Sequence, residues 1–99
     1  MSVPVVAIFL AIPGTETLVE QLFRSVIGAT LEEDGCISYK LNRDIDNPCR
    51  FIWTEEWESK VLLERHLNAP HIKHLLSVVP DYIQSSEIIV LHYLGGGAT

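Results

Sequence analysis

The chain has 99 residues and a formal charge of −6 at neutral pH. That length suits one domain with a modest core, and its scattered basic residues offer no concentrated surface for phosphates. We therefore expect a single domain over residues 1–94, a flexible tail over residues 95–99, and no nucleic-acid partner. Two cysteines are too few for a secreted disulfide framework, and the longest apolar run is too short for a membrane span. These features predict a cytoplasmic protein with no membrane partner.

The N-terminal third predicts a strand followed by a helix. Residues 3–12 are almost all apolar, as in a strand that is covered on both faces. Apolar side chains then recur at helical spacing, which predicts one continuous helix that ends near Glu32. Thr15 or Thr17 can cap that helix, and Thr17 and Glu20 have the spacing of a capping box.

A hairpin is predicted in the middle of the chain. Residues 36–42 alternate as a strand does, with Ile37 and Tyr39 on one face. A turn cluster follows over residues 44–48, and the chain returns as a strand over residues 50–57. One face of the returning strand carries an aromatic and acidic set: Phe51, Trp53, Glu55 and Trp57.

The C-terminal third predicts a broken helix and a last strand. Ser59 is a plausible cap for a helix that runs to about Asn68, and Pro70 suits the first turn of a second helical piece. Pro80 stops that piece, and residues 86–93 read as the last strand. The order βαββαβ is typical of a ferredoxin-like α+β fold, with a four-stranded antiparallel sheet and both helices on one face.

The apolar character of the first strand also predicts a partner. Both faces of this strand need cover, and one layer of helices supplies only one. Packing two sheets face to face would bury the other, so we expect a homodimer through the sheet face.

An ordered pattern of short elements runs along most of the chain. An acidic residue, Gly-Cys and a tyrosine come first, an Asp-Asn-Pro turn follows, and a pair of histidines closes the pattern. With this pattern the chain resembles the antibiotic biosynthesis monooxygenase (ABM) domain family of dimeric α+β barrel proteins, and within it the quinol-monooxygenase-like members. The residues that carry the resemblance are Asp34, Gly35, Cys36, Tyr39, Arg50, Phe51, Glu55, Trp57, His66, Pro70 and His71.

The resemblance implies a monooxygenase that needs no cofactor. Its expected partners are O₂ and a small aromatic substrate, a quinol or a phenol, that donates its own electrons. The haem-degrading branch of the family is less similar, because this chain lacks its strand asparagine and helix tryptophan. No glycine-rich nucleotide loop opens a helix, so a tightly bound flavin or nicotinamide is not expected.

Three residues are candidates for proton transfer. Glu55 shares a face with aromatic rings, where desolvation would raise the pKa of its carboxyl, although the same residue would also suit a structural ion pair. His66 and His71 flank the helix break, and either imidazole would serve as a base for a phenol, or would only bond the backbone there. His74 follows at helical spacing, but no third ligand has a diagnostic spacing, so no metal is predicted.

Four aromatic residues are candidates for substrate binding. Trp57, Trp53, Phe51 and Tyr39 offer a flat apolar lining, and they also suit the core of a small domain. The same set leaves two alternatives to an oxygenase. One is an isomerase or another proton-transfer enzyme acting on a small carbonyl metabolite, and the other is a non-catalytic dimer that binds a small ligand.

Overall fold

A computed structural model describes residues 2–97; Met1 and residues 98–99, the end of the expected tail, lie outside the described part. The elements, in chain order, are β1 (Val3–Ala11), α1 (Glu16–Arg24), α2 (Ile27–Leu31), β2 (Cys36–Asp44), β3 (Asn47–Trp57), α3 (Lys60–Leu67), α4 (Pro70–Val78) and β4 (Ile83–Val90). The strands form one antiparallel sheet in the order β2-β3-β1-β4. This is the predicted ferredoxin-like α+β fold.

The core lies between the helices and the inner face of the sheet. Along β1, alternate residues from Val5 to Ala11 are buried, as the period of a strand requires. Phe23 of α1 is fully buried at the centre of an aromatic cluster, with ring centroids 5.0 Å from Phe9 and 5.5 Å from Trp53. Edge-to-face aromatic pairs stabilise such a core beyond the area they bury.

The outer face of the sheet and its β4 edge carry apolar side chains that remain accessible to solvent. Ile8 of β1 pairs with Ile52 of β3, and both are only half-buried. On β4, Ile88 and Val90 are each 47% exposed, and Ile89 is 36% exposed. An exposed edge strand of this composition is a surface on which another chain can pair or pack.

The predicted continuous first helix is wrong, because the chain breaks between α1 and α2. The Ser25 hydroxyl donates to the carbonyl oxygen of Leu22 at 2.6 Å, and this local bond competes with the regular helix. The predicted capping box is also absent: Thr15 is the N-cap of α1, and its hydroxyl donates to the carbonyl oxygen of Ile12 instead. The turn places the buried Val26 against the core before α2 begins.

Strand boundaries also differ from the predicted ones. β3 begins at Asn47, because the hairpin turn needs only two residues and is closed by the Asp44 carboxylate, which accepts from the Asp46 N–H at 2.9 Å. Ile37 lies at a β-bulge and is half exposed instead of sharing the inner face with Tyr39. β4 spans Ile83–Val90, three residues earlier than predicted, since Ile83 already pairs with Ala11 of β1.

The predicted break in the second helix is confirmed. The Ser59 hydroxyl accepts from the N–H of Leu62 and caps α3, and Pro70 occupies the first turn of α4. A proline at this position has no N–H to leave unpaired, so α4 starts there in a new direction. Within residues 2–97, none of the helices is long and apolar enough to cross a membrane.

Gly35 fixes the loop before β2 against α3. Its φ is +84°, a left-handed conformation that glycine adopts without strain. A Cβ atom at this position would lie 2.8 Å from Cβ of Leu62 on α3, which is closer than real carbon atoms approach. Only glycine therefore allows the loop to lie this close to α3.

We predict that Gly35→Ala destabilises the fold more than Gly14→Ala, the matched control. Gly14 also has a positive φ, but no atom lies within 4 Å of the Cβ position there. Gly14→Ala should therefore cost only the left-handed backbone strain, about 1–2 kcal/mol. Gly35→Ala should cost about 1–3 kcal/mol more through overpacking against Leu62. Urea denaturation measures both, and equal losses would contradict this account of the loop.

Candidate functional site

A small cavity lies between the helices and the inner face of the sheet. Its volume is about 40 Å³, enough for one or two water molecules. The lining combines an apolar wall with two titratable groups and a phenol: Ala7, Phe9, Phe23, Tyr39, Trp53, Glu55, His66, Leu67, Ile72, Leu75, Leu76 and Ile88. The cavity therefore holds a carboxyl and an imidazole in an otherwise apolar environment.

Glu55 reaches the cavity from the middle of β3. Its neighbours in the sheet are Val5 of β1 and Tyr39 of β2, and its carboxylate accepts a hydrogen bond from Nε1 of Trp57 at 3.0 Å. Burial raises the pKa of the Glu55 carboxyl, and the bond from Trp57 opposes this while the charge of Glu33 adds to it. The group is thus a carboxyl whose protonated form is favoured relative to a carboxyl in water.

His66 reaches the cavity from α3 and is almost fully buried. Its ring lies against Trp57, with centroids 4.5 Å apart, and meets the Tyr39 ring at 5.3 Å. Nδ1 lies 2.7 Å from Oε2 of Glu33. Burial lowers the pKa of His66, and the contact with Glu33 opposes this shift.

The contact with Glu33 assigns the tautomer of His66. A carboxylate only accepts hydrogen bonds, so Nδ1 of the neutral imidazole carries the proton and donates a hydrogen bond to Glu33. Nε2 is then the nitrogen with the free lone pair. His66 lines the cavity, so the imidazole that carries this lone pair borders the space where a ligand would bind.

His71 lies on the other side of Glu33. Its Nε2 is 3.1 Å from Oε2 of Glu33 and 3.0 Å from the hydroxyl oxygen of the buried Thr30. The two histidine rings are 6.3 Å apart, and only His66 lines the cavity. Glu33 is therefore the common partner of both predicted histidines.

Tyr39 lines the cavity, and the pKa values of both Tyr39 and Cys36 are raised, which favours their neutral forms. The Tyr39 ring stacks on Trp53 with centroids 4.5 Å apart, and burial together with the charge of Glu55 raises the pKa of its phenol far above the physiological range. Burial also raises the pKa of the Cys36 thiol, with added repulsion from nearby Glu33. A neutral phenol donates a hydrogen bond, and a neutral thiol is a poor nucleophile.

The predicted site residues fall into two groups. The cavity brings together Glu55, His66, Trp53 and Tyr39. The other three do not line it. Trp57 donates a hydrogen bond to Glu55, Phe51 packs edge-on against Phe23, and Nε2 of His71 is within hydrogen-bond distance of Thr30 and 3.1 Å from Glu33. Their roles at a substrate stay predictions.

Sequence reasoning missed Glu33 and Thr30. The sequence pattern named Asp34 as the acidic residue before Gly35. The carboxylate that contacts the histidines belongs instead to Glu33, one residue earlier. Thr30 falls on the apolar stripe of the helix, where a buried hydroxyl needs a partner. This need of a buried hydroxyl for a hydrogen-bond partner is the only feature of the sequence that points to either residue.

The cavity reaches the surface between α4 and β4. Leu76 of α4 is 39% exposed and Ile88 of β4 is 47% exposed, although both also line the cavity. A second cavity of about 230 Å³ adjoins it, and Leu76 and Phe9 line both. Movement of the Leu76 side chain would join the two volumes.

We predict that Glu55→Gln changes the pH dependence of stability. A carboxyl whose pKa is raised in the folded state costs stability as pH rises from the pKa of the unfolded chain, near 4.3, through the folded value. Glutamine keeps an acceptor for Trp57 and removes the buried charge. The variant should therefore match the wild type below about pH 4 and exceed it in free energy of unfolding at pH 7.

Urea denaturation at the two pH values measures that difference. Glu56→Gln on the opposite face of β3 is the matched control, and it should show no comparable gain at pH 7. A Glu55→Gln variant that is less stable than the wild type at pH 7 would contradict a costly buried charge.

Solved structures with the same fold come from several bacteria. PA3566 from Pseudomonas aeruginosa is 26% identical, with a TM-score of 0.90 and 95% of each chain covered. Rv0793 from Mycobacterium tuberculosis is also 26% identical, with a TM-score of 0.91 and coverage of 99% of this chain and 100% of that one. SO0527 from Shewanella oneidensis is 28% identical, with a TM-score of 0.90 and coverage of 93% and 90%.

No functionally curated protein matches this sequence. The family model described as antibiotic biosynthesis monooxygenase matches residues 2–77, which include β1 to β3, Glu33, both histidines of the site and most of α4. This match covers well over half of the chain. The protein therefore belongs to the antibiotic biosynthesis monooxygenase family.

Proposed function

We propose that this protein is a cofactor-independent monooxygenase that oxidises a small quinol or phenol with O₂. Family membership supports the reaction class, and one observation carries the assignment to this site. Nδ1 of His66 lies 2.7 Å from the Glu33 carboxylate, which leaves Nε2 as the free acceptor of an imidazole that lines an apolar cavity. A quinol hydroxyl placed in that cavity meets a base whose orientation is already fixed.

His66 acts as the general base in this proposal, and Glu33 is its positioning residue. The carboxylate holds the imidazole in one tautomer and stabilises the imidazolium that forms when Nε2 takes the proton. The rings of Trp57 and Tyr39 restrict the imidazole further. Nε2 of His71 lies 3.1 Å from the same carboxylate, so His71 acts on the substrate only through Glu33.

The reaction balances without an added reductant. Loss of the hydroxyl proton to His66 gives an electron-rich phenolate, which transfers an electron to O₂ and then forms a carbon–oxygen bond with the reduced oxygen. Cleavage of the O–O bond leaves one oxygen atom on the ring and releases the other as water. A quinol thus becomes a hydroxyquinone, and the substrate supplies all four electrons that reduce O₂.

The other cavity residues shape and polarise the substrate. The stacked Tyr39 and Trp53 rings offer a flat apolar surface for an aromatic ring. Glu55, with its raised pKa, donates a hydrogen bond when protonated, and Trp57 holds it in place. Trp57 and Phe51 support the walls of the cavity in this proposal.

Substrate access requires the cavity to enlarge. Its 40 Å³ is far below the several hundred Å³ of a typical ligand site, whereas the adjoining cavity adds about 230 Å³. Leu76 separates the two and is partly exposed, so a rotamer change there opens a path from solvent to His66. Motions of partly exposed side chains of this kind are fast compared with enzymatic turnover.

The proposed active form is a homodimer through the sheet face. The outer face presents the Ile8 and Ile52 pair, and Ile89 of β4, which pairs with Val6 on the same face, continues this apolar surface. A second copy is the partner with the matching composition, because a two-fold axis places like surfaces against each other.

A second candidate function is proton transfer on a small carbonyl compound. The observation that favours it is the presence of two proton-transfer groups on one cavity, the acceptor His66 and the carboxyl of Glu55. An acid and a base on the two sides of an enolisable carbonyl would catalyse isomerisation. Turnover in the absence of O₂ separates this function from the oxygenase.

We predict that His66→Ala lowers oxygen uptake with a reactive quinol by at least about 100-fold in kcat/KM, because general bases contribute about 10²–10⁴-fold. His71→Ala should cause a smaller loss, since it acts through Glu33. A panel of quinols and polyhydroxylated aromatics is followed with an oxygen electrode, and autoxidation without protein sets the baseline.

His74→Ala is the matched control, because His74 is exposed on α4 and faces solvent. It should retain the wild-type rate. Equal rates for His66→Ala and the wild type would exclude His66 as the base. Uptake no faster than autoxidation across the panel, together with turnover of a carbonyl substrate without O₂, would replace the oxygenase with the second function.

We predict that Ile8→Asp converts the dimer to a monomer, because it places a charge in the centre of the proposed apolar interface. Light scattering after size-exclusion chromatography measures the mass. Ile45→Asp is the matched control, since Ile45 is 98% exposed at the hairpin turn, and it should remain dimeric. A monomeric wild type at micromolar concentration would contradict the interface.

A further inference from the structure

Glu33, His66 and His71 form a compact group of metal-binding side chains. Oε2 of Glu33 lies 2.7 Å from Nδ1 of His66 and 3.1 Å from Nε2 of His71. All three ligand atoms lie within 4.8 Å of one another. Two imidazole nitrogens and a carboxylate oxygen are ligands that Zn²⁺ binds at about 2.0–2.2 Å. Small side-chain adjustments would place such an ion between them.

The fold brings these ligands together from three segments. In one continuous helix, residues five apart project about 140° from each other, so His66 and His71 would not face the same point. The break before Pro70 starts α4 in a new direction and turns His71 back toward α3. The loop held by Gly35 then supplies Glu33. Sequence spacing alone gave no third ligand, and the structure provides one.

The group borders a second opening that is reached from solvent. A cleft of about 300 Å³ is lined by Glu33, Asp34, Arg65, Ala69 and Pro70. The side chains of Glu33 and His71 are 18% and 26% exposed, whereas that of His66 is 3% exposed. Glu33 lines the cleft and His71 is partly exposed, so a metal ion can reach these two ligands from solvent, and water can complete its coordination. Three protein ligands plus water is a common arrangement for zinc.

We propose that Glu33, His66 and His71 bind a divalent transition-metal ion, with Zn²⁺ the best match to the ligand set. Coordination through Nδ1 of His66 requires the lone pair of that nitrogen, so the proton of the neutral ring resides on Nε2 instead. Nε2 then donates a hydrogen bond into the cavity and no longer accepts a proton. Metal binding thus switches the base off, a consequence that rests on the proposed function, whereas the binding site does not.

Metal binding is tested on the full chain after treatment with a chelator. Co²⁺ is the spectroscopic probe, because its visible absorption reports coordination by protein ligands, and Zn²⁺ displacement of Co²⁺ gives the relative affinity. We expect one ion per chain and an affinity at least about 10–100-fold lower in His71→Ala. Glu33→Gln is a second variant, since glutamine keeps the size of the side chain and is a poorer ligand.

The other two histidines provide the control. The double variant His74→Ala and His92→Ala removes every histidine outside the site, and both residues are exposed. It should bind Co²⁺ as the wild type does. Absence of binding at millimolar Co²⁺ or Zn²⁺, or an equal loss of affinity in the double variant, would overturn the site.

Inhibition is measured separately, through oxygen uptake with and without Zn²⁺. Inhibition of the wild type that a chelator reverses, at the Zn²⁺ concentration that fills the site, supports the switch. Full activity of the zinc-loaded protein would overturn the proposed inhibition by metal. The existence of the metal site would still be decided by the Co²⁺ spectrum. Failure of the oxygenase itself is distinguishable, because it leaves the Co²⁺ spectrum and its dependence on His71 unchanged.

Discussion

The hydrogen bond between Nδ1 of His66 and the Glu33 carboxylate is the interaction on which the site depends. It joins the loop before β2 to α3 across 33 residues of sequence, and it forms inside a largely buried region. Gly35 makes the approach possible, because any side chain there would meet Leu62. A charge-assisted bond that is shielded from water is stronger than a surface pair, so it orders both the loop and the imidazole.

The same carboxylate gives the site two chemical states. In one state, Glu33 accepts a hydrogen bond from Nδ1 of His66, lies 3.1 Å from Nε2 of His71, and leaves Nε2 of His66 free for a substrate. In the other state, a metal ion binds Oε2 of Glu33, Nδ1 of His66 and Nε2 of His71. Nε2 of His66 then carries the proton and becomes a hydrogen-bond donor. Catalysis and metal binding are therefore mutually exclusive in our proposals, because they compete for one lone pair on one ring.

Local periodicity was enough to predict most of the fold. The alternation of β3 predicted Phe51, Trp53, Glu55 and Trp57 on one inner face, and the structure confirms this arrangement. The alternation does not predict which of these side chains line the cavity, because that depends on how the helices pack on the sheet. Glu55 and Trp53 line the cavity, whereas Trp57 does not line it and donates a hydrogen bond to Glu55. Ser25 ended α1 early through a hydroxyl bond that helical periodicity does not reveal. Glu33 was missed because its partners are distant in sequence.

The central claim is that Glu33 holds His66 as the tautomer with the proton on Nδ1. Long-range ¹H–¹⁵N correlation NMR of the histidine side chains measures this directly in chelator-treated protein at neutral pH, with His66→Ala to assign the signal. Our account predicts a protonated Nδ1 and an unprotonated Nε2 for His66. The opposite tautomer, with the proton on Nε2, would contradict it and would leave the cavity without a base at this position.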